Sequence, residues 1–88
     1  MKLKSDYITH MVEDTQYLVG VSDDAFKGVV RSNETAAFIV DCLKEETTKD
    51  EIIDKMAERY EKGISREIFS EDVDRILNKL RSIGALEE

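Results

Sequence analysis

Few side chains in this 88-residue sequence stand where they could do chemistry. The one histidine, His10, lies between Thr9 and Met11, and the one cysteine, Cys42, sits in an apolar stretch. A metal site needs several ligands at set spacing, so a surface or half-buried histidine is the expectation for His10. No histidine lies near Cys42 in sequence, so a buried inert thiol is expected rather than a nucleophile with a depressed pKa. The glycines of GVVRSN and KGISRE match neither a P-loop nor a dinucleotide fingerprint. Glu45, Glu46, Asp50 and Glu51 look like a solvated helix edge, with nothing to set two of them apart as an acid/base pair. The sequence therefore predicts a non-enzyme with no cofactor and no catalytic or metal residue.

The remaining candidates are cations. Lys27 and Arg31 stand four apart in AFKGVVR, and Arg75 and Lys79 stand four apart further on. Four converging cations would matter here, because the chain carries a net charge of −7. That charge argues against non-specific nucleic-acid binding, which requires phosphate neutralisation by Lys and Arg. It is unevenly spread: residues 1–31 hold four basic and five acidic side chains, close to balance. A basic rim on an acidic protein would steer an acidic partner.

Elements must position these residues. A chain of this length makes one domain over residues 1–88, burying roughly 60 to 65% of its unfolded surface. A deep enclosed active site is not expected in so thin a core. Apolar residues at 41% and charged residues at 38% suit a soluble globule rather than a disordered chain. No apolar run approaches the ~20 residues of a membrane span, and MKLKSDY has no apolar h-region, so a cytoplasmic location is expected.

YITHMV at 7–12, TQYLVGV at 15–21 and AFKGVVR at 25–31 are three β-prone runs, with turns at Glu13-Asp14 and Ser22-Asp23-Asp24. They predict an antiparallel meander. In the third run Lys27, Val29 and Arg31 share one face, Phe26, Gly28 and Val30 the other. Gly28 would let another backbone approach closely. The second half predicts three helices. Over 34–44, Ala36, Ile39, Val40 and Leu43 form a stripe that Phe38 and Cys42 widen. Thr48-Lys49-Asp50-Glu51 matches a capping box. The helix after it, to about Lys62, is expected to bury Ile52, Ile53, Met56, Ala57 and Tyr60, with Gly63 at its C′ position. A third helix over 66–83 carries Val73, Ile76, Leu77, Leu80 and Ile83, and Gly84 stops it. The expected fold is α+β, winged-helix-like, with the order βββααα and the helices covering one sheet face.

The run FKGVVRSNETAAFIVDCLKEETTKDEIIDKMAERYE, followed by SEDVDRILNKLRSIGAL, resembles the family of pyrroloquinoline-quinone biosynthesis protein D, PqqD. The family pattern is a strand ending in Leu-Asn-Glu-Thr, then Ala/Gly-Ala-Phe-Ile-Trp, a Thr-x-x-Glu-Ile helix, and an Asp-Val start to a last helix ending in Leu-x-x-x-Gly-Leu. The resemblance covers about residues 26–86 and rests on the joint order and spacing of its motifs. Ser32 stands where the family has Leu, Val40 where Trp is common and Ala85 where Leu is frequent, which suggests a divergent member.

The resemblance implies a RiPP recognition element: a peptide chaperone that binds the leader of a ribosomally made precursor peptide. It would present that precursor to a modifying enzyme, often a radical S-adenosylmethionine enzyme. In the family the leader adds as a strand beside the third strand, in a groove walled by the third helix. The implied peptide-binding residues are Phe26, Lys27, Gly28, Val29, Val30 and Arg31 from the strand, with Asp72, Arg75, Ile76, Lys79 and Leu80 from the helix. An edge strand suits this physically, because its unpaired N–H and C=O groups can accept another strand. Other readings stay open. Charges on an edge strand also discourage pairing, so Lys27 and Arg31 could be gatekeepers. A winged-helix nucleic-acid binder is the second function class, opposed by Glu71, Asp72 and Asp74 near the start of the last helix. A small subunit that only stabilises a larger enzyme is the third. An open edge is compatible with a monomer or a domain-swapped dimer.

Overall fold

The computed structural model describes residues 1–23, 25, 28–60 and 63–88. Its elements run β1 (Lys2–Leu3), β2 (Tyr7–Val12), β3 (Thr15–Gly20), β4 (Val29–Ser32), α1 (Glu34–Cys42), α2 (Lys49–Arg59), α3 (Arg66–Ser82) and β5 (Leu86–Glu87). The three-stranded antiparallel sheet has the order β2-β3-β4, so β2 and β4 are its edges. The expected meander followed by three helices is what forms.

The third strand differs from its expected span. It begins at Val29 and runs through Ser32, whereas 25–31 was the span the β-prone run predicts. Ala25 is buried, and its N–H donates to the Ser22 carbonyl at 3.2 Å, so the chain is still turning there. Phe26 and Lys27 lie outside the described residues. At the other end Ser32 pairs with Gln16, which extends the ladder by one residue. β3 ends at Gly20, one residue short of the β-prone run, although the Val21 N–H still bonds the Asp6 carbonyl opposite it at 2.8 Å.

Register fixes the two sheet faces. Leu18 lies opposite Val30 and Gln16 opposite Ser32 on the helix-covered face; Val19 opposite Val29 and Tyr17 opposite Arg31 point outward. Leu18 is fully buried, whereas Val29 is exposed. Beneath the sheet, Ile39, Val40 and Leu43 of the α1 segment meet Ile52, Ile53 and Met56 of α2 and Phe69, Val73, Leu77 and Leu80 of α3 in one core. Ala57 is exposed rather than buried: it sits one residue past Met56, off the stripe that packs against α3.

Each helix begins on a short polar cap. Asn33 Oδ1 accepts from the Ala36 N–H at 2.8 Å, so a single residue separates β4 from α1. Thr48 Oγ1 accepts from the Glu51 N–H at 3.2 Å. The expected return contact differs, because Glu51 Oε2 accepts instead from the Thr47 hydroxyl at 3.1 Å. Ser65 caps α3. That helix ends in a Schellman motif: the Ala85 N–H bonds the Leu80 carbonyl at 2.9 Å, the Gly84 N–H bonds that of Arg81 at 3.1 Å, and Gly84 has φ 72°. Gly63 has φ 101° but lies in the turn beyond α2, whose C-cap is Tyr60, so it is not the C′ residue.

One feature has no counterpart in the sequence reading. β1 pairs with β5 in a separate two-stranded ribbon, Leu3 opposite Leu86, both buried. The Leu3 N–H also donates to the Leu43 carbonyl at 2.7 Å, and the Tyr7 hydroxyl to the Ile83 carbonyl at 2.8 Å. Both ends of the described chain are thereby fastened to the helices.

Cys42 is partly buried at the end of α1, and that burial pushes its thiol pKa up; Lys55 opposes the shift and Asp41 adds to it. At pH 7 iodoacetamide should therefore modify folded protein more slowly than unfolded protein in urea, since the thiolate is the nucleophile. Equal rates would contradict this burial. Ile52 is fully buried. Ile52→Ala should cost about 2–5 kcal/mol in urea unfolding, a large share of a small domain's stability. A loss below about 1 kcal/mol would mean that the α2–α3 contact is not the core contact described here.

Candidate functional site

The site grows from the β4 edge. β4 pairs with β3 on one side, and among the described residues no strand pairs with its other side. Beside that open side lies a cavity of about 160 Å³ between the sheet, α1 and α3. Leu18 and Val30 line it from the sheet, Ala36 and Val40 from α1, and Ile76 and Leu80 from α3. The wall is apolar because three amphipathic stripes meet there. Val30 is the apolar inward residue of β4, Ala36 and Val40 lie four apart on α1, and Ile76 and Leu80 lie four apart on α3. Ala36 leaves room where a longer side chain would fill the space.

Arg31 and Lys79 also line this cavity, from opposite walls. Both are exposed, and neither forms an ion pair among the described residues. Two members of the expected basic rim therefore meet. A third does not: Arg75 is tied to Asp72 of its own helix at 3.0 Å, and neither residue lines the cavity. Their spacing of three on one helix favours that local pair over a reach toward β4. The fourth, Lys27, is outside the described residues, as is Phe26. Gly28 is half-buried just ahead of β4, and Val29 points to the solvent face of the sheet. The structure thus brings together Val30, Arg31, Ile76, Lys79 and Leu80.

The residue set expected from the sequence leaves out Leu18, Ser32, Ala36 and Val40, although Ser32 stands out in the sequence at the junction that positions the groove. Ser32 is the informative omission. It is buried, shares the inward face with Val30, and lines the cavity where the strand turns into the helix. Period-two alternation from Val30 would have found it had the strand been carried one residue further. Ala36 and Val40 were visible as core stripe positions, but the stripe alone does not say which part of it stays uncovered.

The acidic residues near the start of the last helix are also placed differently. α3 begins at Arg66, so Glu71, Asp72 and Asp74 lie in its second and third turns. Among the described residues no three His, Cys, Asp or Glu side chains group as metal ligands. No helix there is long and apolar enough to cross a membrane.

Known proteins share this architecture. The solved structure of TbiB1 in complex with the TbiA(beta) leader peptide superposes with a TM-score of 0.80 at 20% identity, over 99% of this chain and 95% of that one. A lasso peptide synthetase B1 complexed with the leader peptide matches with a TM-score of 0.77 at 17% identity, over 99% and 96%. At these identities the likeness speaks to the fold. No curated protein matches by sequence. The family model of coenzyme PQQ synthesis protein D, PqqD, matches residues 14–86, which span β3 through the first residue of β5. The chain belongs to the PqqD family.

Proposed function

We propose that this protein is a non-catalytic RiPP recognition element of the cytoplasm. It captures the leader of a ribosomally synthesised precursor peptide as a fourth strand on β4 and offers that peptide to a modifying enzyme, such as a radical S-adenosylmethionine enzyme. One observation carries the reading: an open strand edge runs directly beside an apolar cavity walled by α3. The two structural neighbours, each solved with a leader peptide, support it.

Magnitudes indicate how such binding divides. Successive strand residues direct their backbone groups to opposite sides, so the four residues of β4 present two toward the open side. Those two offer about four hydrogen bonds at about 0.5–1.5 kcal/mol each. Ordering the peptide costs about 1–2 kcal/mol per residue. Main-chain pairing alone roughly breaks even, so a side chain in the cavity must supply the surplus. Fully burying one Val, Leu or Phe contributes about 1.5–3 kcal/mol. The cavity holds about 160 Å³, and an apolar cavity near 150 Å³ admits a benzene-sized group. The recognised leader thus carries one branched or aromatic anchor, flanked by an acidic residue that meets Arg31 and Lys79.

Proline substitution tests strand addition. Val29 and Val30 direct their N–H groups to opposite sides of β4. Of Val29→Pro and Val30→Pro, one should break a β3 bond and lower stability. The other should leave the fold intact and weaken a cognate leader peptide by roughly three- to tenfold or more, as titration calorimetry would show. Full affinity in the folded proline variant would exclude strand addition at β4. Lys79→Glu, at an exposed position, should weaken an acidic leader and reduce the salt dependence of binding.

A further inference from the structure

The helices pack on one face of the three-stranded sheet, and the other face is turned to solvent. Register sets its side chains in rows. Ile8, Val19 and Val29 stand opposite one another across the strands, then His10, Tyr17 and Arg31, then Val12 and Thr15. Ile8, Val12 and Val29 are 48%, 50% and 59% exposed. A solvated face of an antiparallel sheet normally turns polar residues outward. Strand propensity does not require these aliphatics, because Thr favours strands too.

Charge sets this face apart as well. The chain has 20 acidic side chains, yet none of the strand residues on this face is acidic. Asp6, Glu13 and Asp14, the nearest in sequence, lie in the turns at its ends. The middle row offers donors instead: the Arg31 guanidinium, the Tyr17 hydroxyl and the His10 ring. Aliphatics around a donor row fit a partner surface of aliphatic side chains around a carboxylate. A second copy laid face to face does not supply one, because it would set Arg31 against the same carboxylate-free surface. Size also argues against a second copy. β2 and β3 are six residues long. With strands about 4.8 Å apart and about 3.4 Å per residue, the face measures about 300 Å², against about 800 Å² per partner in a stable complex.

We infer that the outward sheet face, extended by the bound leader strand, is the surface on which the modifying enzyme docks. This rests on the reading of β4 as the strand that receives the peptide. A strand added there widens the face by about a third. Side chains alternate along it, so one set enters the groove and the other falls in line with Val29 and Arg31. Arg31 stands where groove and face meet, on the edge strand. The enzyme thus gains contact area when the protein is loaded and loses it when the protein is empty. Leader and enzyme binding are then coupled, each tightening the other by the same factor.

Calorimetric titration with the purified modifying enzyme encoded beside the precursor gene, with and without the leader peptide, tests it. The loaded protein should bind the enzyme roughly fivefold or more tightly than the empty one. Ile8→Glu combined with Val12→Glu changes exposed β2 positions, on the edge strand opposite β4. Leader affinity should stay within about twofold, which also reports that the variant is folded, while enzyme affinity falls roughly tenfold or more. Ile68→Glu, an equally exposed apolar position on α3, should leave both affinities unchanged. Full enzyme affinity in the β2 double variant, an equal loss in Ile68→Glu, or equal affinity for loaded and empty protein would overturn the inference while leaving peptide capture intact. A wild-type protein that does not bind the leader would strike both readings. A concentration-dependent dimer in sedimentation that the β2 substitutions abolish would assign the face to a second copy instead.

Discussion

The hydrogen bond from the Ala36 N–H to Asn33 Oδ1, 2.8 Å long, is the contact on which the groove depends. It starts α1 one residue after β4 ends, so the helix cannot swing independently of the strand. The orientation of α1 then places Ala36 and Val40 beneath the inward face of β4. α3 packs against the same core and brings Ile76 and Leu80 to the opposite wall. A longer connection would let the helix find other packing angles and close the space. The abrupt boundary in GVVRSNETAAFIV is thus a geometric device: a strand edge and a helix held at a fixed offset with a gap between them.

The gap persists because of side-chain size as much as backbone path. Ser32 and Ala36 are small and buried at the point where strand and helix diverge. Buried polar side chains elsewhere reach partners: Gln16 bonds Asp41, and Thr47 bonds Glu51. Among the described residues, Gln16 Oε1 is the buried side-chain atom left without a partner. A thin core has little surplus stability to offset such an unmet group.

Much of this was legible in the sequence, for identifiable reasons. Helix stripes such as Val73, Leu77 and Leu80 carry the 3.6-residue period directly, and the caps at Thr48 and Gly84 mark element ends chemically. The ladder from Tyr7 to Gly20 follows from two β-prone runs and a two-residue turn. The start of β4 was not legible, because Ala25 is drawn into the core by a turn that β-propensity does not report. Nor was the β1–β5 ribbon, since two-residue strands are too short to show a period. Within the site, Arg31 and Lys79 were legible as two of four candidate cations, but not as the two that meet, because the pairing of Arg75 with Asp72 is a local contact that outcompetes a distant one.

The central claim is that the open side of β4 receives a peptide strand. Amide hydrogen exchange along Val29–Ser32, with and without a cognate leader peptide, tests it most directly. One alternating pair of these amides faces β3 and should exchange slowly; the other pair faces the open side and should exchange fast. Strand addition predicts that the fast pair becomes slow on binding, with Ile76 and Leu80 shifting in the same titration. A leader peptide that binds tightly while the fast pair stays fast would contradict the account.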